Sequence, residues 1–337
     1  MRVYRYGEQI GPEGLVAHDE PKPAAQRGEL LVRVHAVSLN HRDLGISRGE
    51  YTVPITPGLV PCSDAVGEVV EVGEDVDDFR PGDRVLGTYH SRWFGGEPPD
   101  GLNRMGYGSG QDGWLTEYKA VSREAVVKLA DSLTDEQAAT LPCAGLTAWS
   151  ALAGPVPIRT GHTVLTLGSG GVSIAALQLA KALGARVIST TSSSKKADIL
   201  RELGADEVVN YRDEPEWGQR VRELTSGRGV DRVVEVGGPG TIGQSLNAVA
   251  VRGEVVLIGW LTTDNPGIDY FQLKGSNATV RSSTVGSRDD LANLLRAVTA
   301  AEIIPVVDQV FDFDHATAAF ERMDGGGFIG NIVVKVG

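Results

Sequence analysis

Apolar positions follow two rhythms along this chain, and the change falls near residue 130. Before it, short runs such as Leu30-Leu31-Val32-Arg33-Val34 and Gly67-Glu68-Val69-Val70-Glu71-Val72 stand between clusters of Gly, Pro and Asp. Alternation with period two suits half-buried strands, so this stretch is predicted to be β-rich. Turns are marked at Pro21-Lys22-Pro23, Pro57-Gly58 and Arg80-Pro81-Gly82-Asp83. Tyr89 to Trp114, with seven glycines and the pair Pro98-Pro99, reads as a long loop.

Thr134-Asp135-Glu136-Gln137 has the form of a capping box and predicts a helix start. From residue 163 strands and helices alternate. Val164-Leu165-Thr166-Leu167 precedes a helix over Ser173 to Leu183, and Arg186-Val187-Ile188-Ser189 precedes one over Lys195 to Leu203. Glu207-Val208-Val209, a helix around Trp217 to Leu224, Arg232 to Val236 and Glu254 to Ile258 continue the series. Such alternation predicts a parallel sheet with helices on both faces. After residue 285 a helix, Leu291 to Val298, is followed by the strand-like Gln309-Val310-Phe311 and Ile332-Val333-Val334, whose texture returns to that of the first region. No internal repeat is visible.

The strand ending at Leu167 runs into Gly168-Ser169-Gly170-Gly171-Val172-Ser173. Gly168 permits a tight turn, and Gly170 lets backbone approach a pyrophosphate. The helix behind them offers unpaired N–H groups and a favourable dipole to that anion. Ser173 stands where the third glycine of a dinucleotide fingerprint is expected, and is small enough for close packing. Farther on, a carboxylate would bind the ribose hydroxyls of NAD. This chain has Ser189-Thr190-Thr191-Ser192-Ser193-Ser194-Lys195-Lys196 and no acid. Hydroxyls and lysines suit a 2′-phosphate, which favours NADP(H); the alternative is a helix cap followed by solvated lysines.

Composition narrows the classes. A net charge of −12 disfavours nucleic acid and anionic membrane surfaces as partners. No apolar run has the length of a membrane span, and the first residues lack a signal-peptide core. Two cysteines, Cys62 and Cys143, leave no disulfide framework, and a cytoplasmic location is expected. A small-molecule substrate is the expected partner.

On these and further motifs the chain resembles the medium-chain dehydrogenase/reductase family over essentially its whole length. The matching runs are Val37 to Asp43, Gly67 to Gly73, Pro81-Gly82-Asp83-Arg84-Val85, Leu141 to Ala148, Asn210-Tyr211, Val234 to Gly238 and Gly326 to Asn331. The resemblance implies an α/β fold, a Rossmann doubly wound parallel sheet plus a GroES-like β-rich domain. The GroES-like domain is expected over 1–125, completed by 285–337, and the NADP-binding domain over 126–284. A homodimer built by joining Rossmann sheets is also implied.

Catalytic-zinc members of the family carry ligands at the positions of Asn40, Ser63 and Cys143, and only the last is a zinc-binding type here. The structural-zinc lobe needs four cysteines, and Tyr89 to Trp114 has none. The sequence therefore resembles the zinc-independent branch, with its quinone oxidoreductases and enoyl reductases, and no metal is expected. The resemblance implies cofactor contacts at Gly168, Gly170, Gly171, Val172, Thr191, Ser192, Lys196, Tyr211, Gly237, Gly238, Ile258 and Gly259. It adds Gly286, Ser287, Arg288 and Phe328 near the nicotinamide or phosphate end.

Tyr51 is the expected proton donor, since Asn40 to Tyr51 resembles an enoyl-thioester reductase segment ending in a catalytic tyrosine. Packing against the pocket is its alternative role. Asn40 is expected to hydrogen-bond substrate or nicotinamide. His41 stands between proton relay and structural hydrogen bonder, and Cys62, Ser63 and Asp64 between substrate contact and packed strand. Trp93, Phe94, Tyr107 and Trp114 stand between a substrate lid and a small core of the loop. The leading expectation is NADPH-dependent, zinc-free reduction of an enone, enoyl compound or quinone. A zinc-free NADP-dependent alcohol dehydrogenase or carbonyl reductase, and a non-catalytic NADPH-binding protein, are the alternatives.

Overall fold

The structure, a computed structural model, describes residues 1–51, 56–262 and 267–337. It divides into two units, one of Met1–Leu146 with Val285–Gly337 and one of Thr147–Thr284.

In the first unit, β1 (Arg2–Tyr6) and β2 (Leu15–Asp19) form an antiparallel pair. The main sheet takes β3 (Glu29–Leu39), β4 (Asp64–Val72), β5 (Arg84–Gly87), β6 (Tyr118–Ser122) and β7 (Val126–Lys128). Between β3 and β4 lies α1 (His41–Ser47), and after β7 comes the single turn α2 (Asp135–Ala138), capped by Thr134 and Gln137 as the sequence predicts. β3 is the organising strand, because it pairs antiparallel with both β4 and β6. Leu30, Val32 and Val34 follow period two and are almost wholly buried, and the register shift between Val34 and Ala36 moves the buried core positions to Val37 and Leu39.

The chain enters the second unit along α3 (Leu146–Ala153). There β8 (Thr163–Leu167), α4 (Gly171–Ala182), β9 (Arg186–Thr191), α5 (Ser194–Glu202), β10 (Glu207–Asn210), α6 (Trp217–Leu224), β11 (Val230–Glu235), α7 (Ile242–Ala248), β12 (Val249–Leu257), α8 (Tyr270–Ser276) and β13 (Thr279–Ser282) follow in turn. The six strands are parallel, in the order β10-β9-β8-β11-β12-β13. This is the doubly wound Rossmann arrangement, with the order reversing between β8 and β11. All of β8 is buried, as both-face coverage requires.

The last segment returns to the first unit with α9 (Arg288–Ala300), β14 (Val307–Asp312), α10 (Ala316–Asp324) and β15 (Asn331–Lys335). β15 pairs antiparallel with β3 and parallel with β14. The first boundary lies after Leu146, later than the 125 read from sequence, because β7 pairs with β5 and Cys143 is bonded to Asp64. Among the described residues no helix is long and apolar enough to cross a membrane.

Candidate functional site

The glycine turn lies at the carboxyl end of β8, where the strand order reverses and open sheets place their ligands. Gly168 has φ +76°, a conformation that only glycine adopts without strain. A methyl group on Gly168 or Gly170 would meet no atom within 4 Å, so the turn leaves an open cradle. Gly170 precedes α4 without a side-chain cap, which leaves N–H groups at Gly171 and Val172 for an anion. Ser173 donates its hydroxyl to Leu167 O at 2.7 Å and ties helix to strand, which a third glycine could not do.

At the end of β9, Thr191 is buried and its carbonyl accepts from Tyr211 N at 2.9 Å. Ser192 follows, and Ser193 caps α5 by accepting from Lys196 N. Lys196 therefore stands in the first helical turn, near the neighbouring strand's end at Tyr211. The helix cap weighed from sequence is real, but it falls on Ser193 and leaves Thr191, Ser192, Lys196 and Tyr211 grouped at two adjacent strand ends.

The loops after β11 and β12 are fastened together. Thr262 N donates to Gly237 O at 2.9 Å, and Ile258 N donates to Glu235 O at 2.9 Å. Gly259 must be small, since a Cβ there would come 2.4 Å from Val236 O. Beneath Gly237 and Gly238 lies Glu235, fully buried; it falls within the matching run Val234 to Gly238, but the sequence assigns it no role of its own. Its Oε1 accepts from Gly237 N (2.8 Å), Gly238 N (3.0 Å) and Thr241 Oγ1 (2.6 Å), and its Oε2 accepts from Ser245 Oγ. A carboxylate with that many donors rigidifies the loop it supports.

The first unit holds a second polar cluster, built on the start of α1 and the strands beside it. Asp43 accepts from Asn40 N at 2.8 Å and from Arg42 Nη1 at 2.9 Å. The Arg42 guanidinium lies 4.9 Å from the centre of the Tyr89 ring and 5.6 Å from that of Tyr51. Burial works against its charge, but Tyr89, Asp43, Tyr51 and Cys143 hold it protonated well above the usual range. Burial likewise raises Tyr89, against the pull of Arg42, and a hydrogen bond with Tyr51 raises it further. Tyr51 thus packs on the core and also joins this cluster.

Asp64, wholly buried, accepts from Ser63 Oγ at 2.5 Å and from Cys143 N at 2.9 Å. Burial pushes its carboxyl up to about 7, opposed by the Ser63 hydroxyl, reinforced by Asp43, and opposed again by Asn40 and the Cys143 N–H. His90 stacks edge-on to Tyr89 at 4.6 Å, and burial together with the Arg42 charge pushes it down to about 3, so it is neutral.

Other candidates lie elsewhere. Exposed His41 opens α1. Ser287, next to Gly286, caps α9 with Asp290, and Arg288 Nε donates to Val126 O at 3.0 Å. Phe328 packs on the first unit's core. Tyr107 and Trp114 meet edge-on at 5.7 Å in that core, whereas Phe94 is 40% exposed. The aromatic loop is therefore half core and half surface.

Residues 26–131 match the family described as "Alcohol dehydrogenase GroES-like domain", and residues 171–300 match "Zinc-binding dehydrogenase". The "Zinc-type alcohol dehydrogenase-like protein C1773.06c" of Schizosaccharomyces pombe is 37% identical, over 98% of this chain and 96% of its own. The chain belongs to the medium-chain dehydrogenase/reductase family. An acryloyl-coenzyme A reductase of Metallosphaera sedula is 31% identical over 94% of each chain. Among solved structures, one named an NAD-dependent alcohol dehydrogenase aligns over 100% of both chains, with TM-score 0.91 and 31% identity. A mycobacterial protein complexed with NADPH aligns over 100% of both, with TM-score 0.84 and 28% identity.

Both groups that this dehydrogenase/reductase family implies can be tested against the residues present. A nicotinamide dinucleotide fits, because the open cradle and the uncapped start of α4 suit a pyrophosphate. Zinc does not fit. Its position holds Asn40, Ser63, Asp64 and Cys143, and both Asp64 oxygens already accept hydrogen bonds. Among the described residues no three His, Cys, Asp or Glu side chains are grouped to hold a metal.

Proposed function

We propose that this chain is an NADPH-dependent reductase, working without zinc, of an enone, an enoyl compound or a quinone. The observation that carries the reading is the donor set at the family's zinc position, which offers an amide, a hydroxyl, an engaged carboxyl and one thiol. Reduction of an isolated carbonyl leans on a strong Lewis acid. Reduction of a conjugated C=C spreads the developing charge into an enolate, which hydrogen-bond donors can hold.

The bound nicotinamide supplies hydride. Gly168, Gly170, Gly171 and Val172 bind the pyrophosphate, while Thr191, Ser192, Lys196 and Tyr211 receive the 2′-phosphate. Gly237, Gly238, Ile258 and Gly259 line the cofactor's path, and Glu235 holds that loop in shape. Tyr51 donates the proton, with Asn40 binding substrate. Gly286, Ser287, Arg288 and Phe328 complete the nicotinamide end. The names of the acryloyl-coenzyme A reductase and of the NADPH complex support this reading. The protein acts as a homodimer in the cytoplasm.

One substrate tests the chemistry. Purified protein with NADPH and a medium-chain 2-enal is expected to give the saturated aldehyde. An allylic alcohol would establish carbonyl reduction instead, and absence of NADPH oxidation with enals, enones and quinones would leave a binding protein. Lys196→Ala is expected to weaken NADPH roughly tenfold or more with NADH little changed, as loss of a charge-assisted contact requires.

A further inference from the structure

Arg42 is only 7% exposed, yet among the described residues one of its three guanidinium nitrogens alone has a partner. Nη1 donates to Asp43, whereas Nε and Nη2 are buried and have no hydrogen-bond partner among the described residues. A desolvated N–H without an acceptor is costly, more so on a charged group. Nε and Nη2 share one edge of the planar guanidinium, the edge that grips oxygen with two parallel N–H bonds. Tyr51 and Tyr89 bracket this cation. A neighbour repeats the pattern: both ring nitrogens of His90 are also buried without partners among the described residues. Packing alone does not leave this many polar atoms unsatisfied in one cluster.

We infer that the Nε–Nη2 edge of Arg42 receives the substrate's carbonyl oxygen, and that the substrate is an uncharged conjugated carbonyl compound. The inference deepens the reading of the chain as an NADPH-dependent reductase and rests on it. Charge decides between a carbonyl and a carboxylate. Asp43 already neutralises Arg42, so a ligand with a permanent negative charge would leave the buried site with net negative charge. A neutral carbonyl brings its charge only as hydride arrives.

The step balances. Hydride from NADPH adds to the β-carbon, and the C=C electron pair moves to form the enolate. The oxygen takes the negative charge against the two Arg42 N–H groups, and NADP⁺ remains. A proton delivered to the α-carbon by the Tyr51 hydroxyl, itself reprotonated from water, gives the saturated carbonyl compound.

Wild-type protein and Arg42→Lys are compared with NADPH and 2-cyclohexenone. Lysine keeps the charge and loses the two-pronged edge. The expected result is a kcat lowered by roughly 10²- to 10³-fold, with NADPH affinity by fluorescence titration and thermal unfolding close to wild type. A kcat within a few-fold of wild type in Arg42→Lys would overturn the proposal. A measurement on wild type alone covers the case in which the variant does not fold. 4-Nitrophenol, whose phenolate is a stable analogue of the enolate, is expected to compete with the enone and, with NADP⁺ bound to supply the positive charge that hydride transfer leaves, to show phenolate absorbance below its solution pKa. A phenol bound un-ionised, or no competition at millimolar concentration, overturns the assignment. If wild type ionises the bound phenol but turns over no conjugated carbonyl, the oxyanion site stands and the functional reading fails.

Discussion

Asp64 shows how a single burial event becomes a pH property of the protein. Its carboxyl has no exposure and sits near Asp43, so folding raises its pKa from 3.8 to about 7. Folding therefore favours the protonated form. The associated stability is fully present below pH 3.8 and is lost as pH rises through about 7. Asp64→Asn keeps the shape and an acceptor for Cys143 N, and the Ser63 hydroxyl can reverse to accept from the new amide. We expect the wild type to lose a few kcal/mol more than this variant between pH 4 and pH 8, read from urea unfolding at each pH. Parallel pH profiles would mean that Asp64 is ionised throughout. Arg42 and Asp64 illustrate opposite outcomes of the same burial: the guanidinium keeps its charge because Asp43 bonds it, while the Asp64 carboxyl has hydrogen-bond donors but, among the described residues, no bonded cation.

Among the elements, the loop after β11 has its geometry fixed from below. Three donors converge on Glu235 Oε1, and two of them are the backbone N–H groups of Gly237 and Gly238. Glu235→Ala strands all three, and each buried unsatisfied donor costs about 1–3 kcal/mol. A loss of about 3–5 kcal/mol is expected in denaturant unfolding, against about 1 kcal/mol for Glu235→Gln, which keeps an acceptor. Equal losses for the two would show that the loop holds itself. Legibility in the sequence follows from whether a feature is local. The turn from β8 to α4 was readable because Gly168, Gly170 and the helix rhythm lie within one short window. The α2 capping box was readable for the same reason. Glu235 reads as one more residue of a strand, since two of its partners are backbone N–H groups, which no residue type announces, and the side-chain donors Thr241 and Ser245 lie at and within the next helix. The Asp64–Cys143 bond and the bracketing of Arg42 by Tyr89 join residues far apart in the chain, so no periodicity announces them. Tyr107 and Trp114 were placed in the core by packing, a choice that composition leaves open.

At the scale of the whole molecule, the six-stranded sheet ends on an unprotected edge. β13 pairs with β12 on one side and, among the described residues, with no strand on the other. Edge strands are usually guarded by lysine, proline or a bulge. Thr279-Val280-Arg281-Ser282 has none of these, and its one charge is turned to Glu254, with Arg281 Nε 2.9 Å from Oε1. The helix just before it carries Tyr270 and Phe271, 69% and 80% exposed, in edge-to-face contact at 5.4 Å. An open edge, with exposed aromatics on the helix that precedes it in the chain, suits a two-fold join that continues the sheet into a second copy. Each copy carries a charge of −12, so long-range repulsion opposes that join, and backbone hydrogen bonds with apolar burial must outweigh it. Salt screens the repulsion without weakening the apolar contact, so association is expected to tighten between low and physiological ionic strength. Light scattering of the eluting wild type should give twice the 35.7 kDa chain mass. Phe271→Glu, which adds charge at an exposed position, should give the single-chain mass with an unchanged circular dichroism spectrum. A monomeric wild type would remove the join, and a dimeric Phe271→Glu would move it to another face.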